Sequence, residues 1–416
     1  MKTKIKISWK TILLFLSIVG PGIITANVDN DVGGIATYSL AGSQFGYSLL
    51  WSLIPITLLL ILVQEMCARM GVVTSKGLAD LIRENFGLSV TFYLMVTLIV
   101  VNVANTISEF AGIAAAGEIF GISRFILVPI VAFCVWYMVI KGNYKLIERI
   151  FLFACVIYFA YIVSGIMAKP DWGLVVKSTL IPTFQFSSAY IMMLIGLIGT
   201  TIAPWMQFYL QSSLVEKGIR KENYIYSKLD VIIGCIITDV VALFIIVATA
   251  ATIFKVGGSI TDAADAAVGL QPLAGKWAGY LFAFGLLNAG IFAASILPLS
   301  TAYSVCEGLG WESGLNKKFS DAKGFYILYT SMIIIGAVVI MIPHLNLIYI
   351  MYISQVLNGI LIPIIIIFML KLLNDKKIMG EYVNSRVYNI IAWLGAILTI
   401  ALTAVLVVVS VFKTIM

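Results

Sequence analysis

Two aspartates and two asparagines share one short run, ANVDNDVGG at residues 26–34, and the chain on both sides of it is apolar. Asp29 and Asp31 in that run are joined by two more acids, Glu109 and Asp239, each isolated in a long hydrophobic stretch. No lysine or arginine lies deep in any of these stretches to pair with them. A charge at the centre of a bilayer costs at least ~2.5–3.5 kcal/mol, so each acid needs a physical reason to be there. The ligand chemistry around Asp31 is hard: carboxylate, backbone carbonyl, threonine hydroxyl, the Gln355 amide and water, with no Cys, Met or His beside it. Such oxygen sites suit Mg²⁺, Ca²⁺ or Mn²⁺, whereas softer transition metals favour imidazole or sulfur. For Glu109 and Asp239, a protonated or backbone-bonded acid is an equally open reading.

The elements that must position these acids are membrane helices. The chain has 416 residues, of which 61% are hydrophobic and 11% charged, with a mean hydropathy of +1.04. Apolar runs long enough to cross a ~30 Å hydrocarbon core recur throughout. The pattern predicts eleven spans, at 11–43, 47–70, 89–117, 123–140, 146–167, 187–214, 229–254, 276–305, 324–343, 346–371 and 386–412. With the N-terminus inside, the only basic residues left outside are Arg124, Lys169, Lys177, Lys255, Lys276 and Lys413, out of 27 in the chain. The positive-inside rule thus predicts a polytopic plasma-membrane protein with a cytoplasmic N-terminus and an extracytoplasmic C-terminus. The net charge of +7 is topological and no nucleic-acid footprint. MKTKIKISWK reads as a cytosolic end and not as a signal peptide. Five scattered cysteines and a single histidine, His344, argue against a disulfide framework and a histidine-rich metal site.

Two spans are interrupted in the same way. The first carries Gly20-Pro21-Gly22, the polar run, and then Gly33-Gly34. The sixth carries Gly196, Gly199, Thr200, Thr201 and Pro204 at its middle. Interrupted helices in corresponding positions of two halves point to an inverted-repeat transporter with its site at the breaks. The expected architecture is a single all-α membrane domain over 1–416, with repeats at 1–167 and 187–371 and an extra helix at 386–412.

The motifs along the chain resemble those of the NRAMP family of divalent-metal transporters. Gly20-Pro21 leads to Asp31-Val32-Gly33-Gly34 and then AGSQFGYSLLW, where the family has GP, DPGN and AG-x-x-F-x-Y. ARMGVVTSKGLADL is close to the family's ARLGVVTGKDLAE, and the fifth span opens with YKLIE. GTTIAP matches GATxMP and YLQSS matches YLHSS. GLLNAG, CEGLG and SQVLNGILIP follow later in the chain. The resemblance implies a LeuT-like fold with discontinuous helices 1 and 6 and alternating access. It also implies a metal held by Asp31, the carbonyls of Val28 and Thr200, and Gln355.

The departures from the family are as informative. The family's asparagine ligand is Gly34 here, its methionine ligand is Ala203, and the histidine after its proline falls at Trp205 or Met206. Loss of the thioether removes the soft ligand, and the two smaller residues are expected to enlarge the cavity for a partly hydrated ion. Mg²⁺ keeps several waters, so the chain resembles the NRAMP-related magnesium transporters more than the Mn/Fe branch. Of the expected proton path only Glu109 remains, with Thr106 and Ile99 at acidic family positions and no basic residue inside the ninth span. Transport uncoupled from protons follows as the expectation. Asp29 and Asp239 are accessory acids, and Ile342-Pro343-His344 reads as an outer-surface feature. The substrate is then a divalent cation, most simply Mg²⁺ with Mn²⁺ beside it, in contact with the lipid bilayer, with no cofactor, nucleic acid or obligate protein partner. The alternatives are a proton-coupled Mn²⁺/Fe²⁺ transporter, a carrier of neutral organic solutes on the same fold, and an intramembrane aspartyl enzyme, which lacks its YD and GxGD motifs.

Overall fold

The computed structural model describes residues 20–141, 158–315 and 317–415. MKTKIKISWK with the start of the first span, and YKLIE with the opening of the fifth, lie outside the described residues. The described residues form helices and no strands. The first span is in two pieces, α1 (Pro21–Asn27) and α2 (Val32–Phe45), joined by a 3₁₀ turn at Val28–Asn30 and an extended Asp31. Then come α3 (Leu50–Thr74), α4 (Leu78–Phe86), α5 (Leu88–Ile119) and α6 (Arg124–Lys141). Next are α7 (Phe159–Met167), α8 (Trp172–Leu180), α9 (Ser188–Thr201) and α10 (Pro204–Glu216). The chain ends with α11 (Tyr224–Thr252), α12 (Ala278–Leu309), α13 (Lys323–Ile340), α14 (Leu347–Asn374) and α15 (Arg386–Ile415). Among the described residues, nine segments are long and apolar enough to cross a membrane, and α9 with α10 count as one of them.

The interrupted helices lie at the centre of the bundle. In the α9–α10 segment 89% of the most apolar window is buried, against 28% for α6 and 22% for α15. The outer helices instead expose large apolar side chains, such as Phe133 and Tyr137 on α6, Ile334 and Val338 on α13, and Leu394 and Ile397 on α15. Such outward faces suit hydrocarbon, where a helix satisfies its own backbone groups. Inside, α5 packs along α12, α9 along α14, and α11 against α1, α2 and α3. The α9–α14 contact is backbone to backbone: a Cβ at Gly199 would sit 1.9 Å from the Gln355 carbonyl oxygen. Small residues permit this approach, and it fixes α14 beside the break that ends α9.

Local sequence explains both interruptions. Proline confines the residue before it to extended backbone. Ala203 accordingly has φ −67° and ψ 140°, and Pro204 starts α10 at a position where its missing N–H is harmless. At the other break, Asp31 is extended at φ −64° and ψ −179° and caps α2 with its own side chain. The start of α1 is held from a distance. The Asp230 carboxylate on α11 accepts from the backbone N–H of Gly22 at 2.6 Å, Ile23 at 3.2 Å and Gly20 at 3.3 Å. These are the donors that a helix start leaves without partners.

Candidate functional site

The two breaks face each other. The Tyr38 hydroxyl on α2 and the Thr201 hydroxyl at the end of α9 lie 2.9 Å apart and share a hydrogen bond. Val28, Asp31, Thr200, Ala203 and Gln355 are all buried. Asp31 Oδ1 accepts from the Gly34 N–H at 2.6 Å, and the Gly33 N–H and the Glu109 carboxyl also lie within reach of its carboxyl. Glu109 reaches the same helix start, where its Oε2 accepts from the Val32 N–H at 3.3 Å. No N–H or hydroxyl donor reaches its buried Oε1, and its carboxyl lies against that of Asp31. Two carboxylates at one helix N-terminus are favoured by the exposed N–H groups and the positive end of the helix dipole. Thr200 lies in the last turn of α9, where carbonyls lack intrahelical donors, and its hydroxyl is buried and unpartnered.

Asp29 and Asp239 are far apart in sequence but lie within electrostatic range in the fold. The Asn30 Nδ2 donates to the Thr238 carbonyl at 3.4 Å and lies 3.3 Å from its hydroxyl. The Thr238 hydroxyl in turn donates to the Ala26 carbonyl at 2.5 Å. This seats α11 against the unwound turn and brings Asp239 into the electrostatic reach of Asp29, which also feels Asp31. Both acids are buried; the carboxylate oxygens of Asp29 meet no donor, and those of Asp239 have only the Thr57 hydroxyl of α3 in reach. Among the described residues, none of the ion pairs involves Asp29, Asp31, Glu109 or Asp239. The isolated look of Asp239 is therefore a property of the sequence alone.

One expectation is corrected. Gly34 does not enlarge a cavity in this conformation, because the backbone fills the space an asparagine side chain would need. A Cβ at Gly34 would lie 2.2 Å from the Asp29 carbonyl oxygen and 3.0 Å from the Thr200 hydroxyl. Glycine here lets the unwound turn close on α2. Gln355 also has an orientation that sequence did not indicate. A Cβ at Gly33 would fall 1.9 Å from its Nε2, so the amide nitrogen rests on the break. Its Oε1 accepts from Asn358 Nδ2 at 2.8 Å.

Other candidates separate from the site or change meaning. Trp205 and Met206 are fully packed side chains, and the Trp205 carbonyl accepts from the Ser300 hydroxyl at 3.0 Å. His344 is exposed in the turn after α13. On α5, Thr106 bonds back to the Asn102 carbonyl at 2.8 Å, and Asn102 donates to the Thr301 hydroxyl at 2.8 Å. Neutral amides and hydroxyls thus line the helix that carries Glu109. No group of three or more His, Cys, Asp or Glu side chains forms a metal cluster among the described residues.

Three motifs noted only for resemblance converge at the other end of the bundle. Ser212 of YLQSS donates to Glu307 of CEGLG at 2.6 Å, and Gln211 donates to the Lys76 carbonyl at 2.8 Å. Glu307 also packs on Gly77, where a Cβ would lie 1.9 Å from its Oε2. Their separation in sequence, at the ends of α3, α10 and α12, gave no sign of this meeting.

Interrupted helices crossing at a buried, oxygen-rich centre inside an apolar bundle define a polytopic membrane protein of transporter architecture. Residues 22–409 match the family described as Nramp: Natural resistance-associated macrophage protein-like, and the chain belongs to that family. It is 29% identical over 406 residues to the divalent metal cation transporter MntH of Yersinia pestis (strain Pestoides F), covering 94% of each chain. An MntH of Yersinia pseudotuberculosis matches equally well. In fold it is similar to the Eremococcus coleocola manganese transporter in complex with an aromatic bis-isothiourea substituted compound. That match has a TM-score of 0.79 at 23% identity and covers 96% of this chain and 88% of the other. A nucleobase-cation-symport-1 family transporter in a closed conformation matches at a TM-score of 0.53, 13% identity, and 84% and 77% coverage. The fold is LeuT-like. Members of the family are metal-ion transporters and not enzymes, which sets aside the aspartyl-enzyme alternative.

Proposed function

We propose that this chain carries divalent metal cations across the membrane by alternating access, with Mg²⁺ as the main cargo, Mn²⁺ as a second, and no obligatory proton exchange. The observation that carries this reading is the donor set at the breaks. Asp31 presents a buried carboxylate at the break with the Glu109 carboxyl beside it, and buried Ala203 stands where the family places a thioether. Hard oxygen ligands without sulfur or imidazole favour Mg²⁺ and Mn²⁺ over softer metals. In this reading Asp31 ligates the ion directly. Val28 and Thr200 offer carbonyls, Gln355 its amide oxygen, and Gly34 and Ala203 set the wall. Asp29 and Asp239 attract the ion and its remaining waters. The 1–167 and 187–371 repeats move against each other around the site, the 386–412 helix packs outside them, and the N-terminus is cytoplasmic.

The absence of proton coupling rests on Thr106, Asn102 and Asn105, which place neutral groups along α5 on the approach to Glu109. A relay needs titratable groups in sequence. A membrane potential suffices as the drive, since a divalent ion gains roughly twice ~2.3 kcal/mol per 100 mV. A proton-coupled Mn²⁺/Fe²⁺ carrier is the second reading, and the contact between the buried Glu109 and Asp31 carboxyls favours it, because a proton can be shared there. A carrier of neutral organic solutes has no such feature in its favour.

The test is uptake of Mg²⁺ and Mn²⁺ into proteoliposomes by the wild-type protein and Asp31→Ala. The proposal predicts uptake of both ions that Asp31→Ala abolishes. Equal uptake by the two proteins would overturn it.

A further inference from the structure

The amide oxygen that Gln355 would give to a cation is turned away from the break, and the reason is a chain of three fully buried amides. Gln355 Oε1 accepts from Asn358 Nδ2 at 2.8 Å, one turn along α14. Asn358 and Asn105 of α5 then bond reciprocally: Asn105 Nδ2 donates to Asn358 Oδ1 at 2.7 Å, and Asn358 Nδ2 donates to Asn105 Oδ1 at 3.1 Å. None of the three is more than 1% exposed. On the other side of Gln355, its Nε2 lies against Gly33 and only 3.4 Å from the Ser354 hydroxyl. The face toward the break is a hydrogen-bond donor, which repels a cation.

We propose that Asn105, Asn358 and Gln355 form a coupled amide switch that decides whether a donor or an oxygen faces the ion. A half-turn of the Gln355 amide exchanges its oxygen and nitrogen. Its Nε2 would then meet the Asn358 Nδ2, donor against donor, between fully buried side chains. The conflict disappears when Asn358 turns as well, so that its oxygen accepts from Gln355. Asn105 must turn with it to keep the reciprocal pair. Each amide has one acceptor and one two-proton donor, so both settings satisfy the same bonds within the triad. Intermediate settings leave a buried polar group without a partner, which is costly. The element is therefore bistable, and a cation selects the setting with the oxygen toward Asp31. Asn358 and Asn105 act through Gln355 and are positioning residues. The inference deepens the proposed function and rests on its assignment of Gln355 as a ligand.

The test exploits the direction of the switch. Asn358→Asp puts an acceptor-only group beside Gln355 and holds its Nε2 there, so the oxygen faces the site permanently. Mg²⁺ affinity of the purified protein, read by titration calorimetry, should tighten at least fivefold. The added charge alone also attracts Mg²⁺, so the same change is measured in a Gln355→Leu background. The switch predicts that most of the gain is lost there, and an undiminished gain would overturn it. A second readout needs no folded Asn358 variant. Mg²⁺-induced infrared difference spectra should contain a side-chain amide band from Asn105, identified by its loss in Asn105→Leu. That band should also vanish in Gln355→Leu. A spectrum with no Asn105 band in the wild type would overturn the coupling, while Mg²⁺ binding lost in Asp31→Ala would leave the proposed function standing. Absence of any Mg²⁺ binding by the wild type would overturn both.

Discussion

Gly34→Ala adds one carbon at the point where the two breaks are most tightly packed. The new Cβ would start 2.2 Å from the Asp29 carbonyl oxygen, against the 3.0 Å below which real contacts essentially never fall. The carbonyl must therefore back away by about 0.8 Å, and the Thr200 hydroxyl at 3.0 Å blocks an easy escape of the new carbon. The displaced atom belongs to a backbone turn and not to a flexible side chain, so relaxation is limited. Overpacking of this kind costs about 1–3 kcal/mol. At ~1.4 kcal/mol per tenfold, the loss is roughly 5- to 100-fold in Mg²⁺ affinity if the closed turn is the ion-binding form. The Asp31 cap is disturbed too, since its 2.6 Å bond comes from the N–H of residue 34 itself. Titration calorimetry on detergent-purified protein, with thermal melting as the control for folding, reads this directly. Wild-type affinity in a well-folded Gly34→Ala protein would refute the argument that the turn must close on α2. The same geometry means that Gly34→Asn does not simply restore the family's ligand, because its side chain meets the same carbonyl.

Three further outcomes follow from other parts of the fold. Ala203→Met introduces a thioether at the second break and should shift competition in uptake assays toward Mn²⁺ and Cd²⁺ relative to Mg²⁺; unchanged preference would remove residue 203 from the site. Asp230→Ala strips the start of α1 of its carboxylate acceptor and should cost about 1–3 kcal/mol, seen as a melting temperature lower by several degrees, with no change as the contrary result. In the loop between α11 and α12, the Thr261 hydroxyl and N–H donate to Asp265 at 2.6 and 2.8 Å and hold its carboxyl below the usual range. A lowered folded-state value stabilises above the unfolded value of ~3.9 and is lost as pH falls through the folded one. Melting curves of wild type and Thr261→Ala should therefore converge at low pH and differ, slightly, at neutral pH.

Much of the architecture was legible in the sequence because the constraints behind it are local. Pro204 dictates an extended Ala203 and hence the break between α9 and α10, and a short polar run between glycines dictates the one between α1 and α2. Long apolar runs dictate spanning helices. What escaped were the relations between residues distant in sequence. Nothing local brings Asp239 into the electrostatic range of Asp29, a relation made by α11 docking on the unwound turn through Thr238 and Asn30. Asp230 lies in the first turns of α11, yet it holds the start of α1 from more than 200 residues away. Gly34 was read by side-chain volume, which predicts space, whereas backbone approach decides its surroundings. The orientation of Gln355 is set by Asn358 and Asn105, whose own pairing is visible only once α5 and α14 are packed together.

The central claim is divalent-cation transport at Asp31 without proton exchange. The most direct measurement records luminal Mg²⁺ and luminal pH simultaneously in proteoliposomes under an inside-negative potential. The account predicts that Mg²⁺ enters, that luminal pH stays constant, and that Asp31→Ala stops the entry. Acidification that tracks metal entry, or entry that persists without the Asp31 carboxylate, would contradict it.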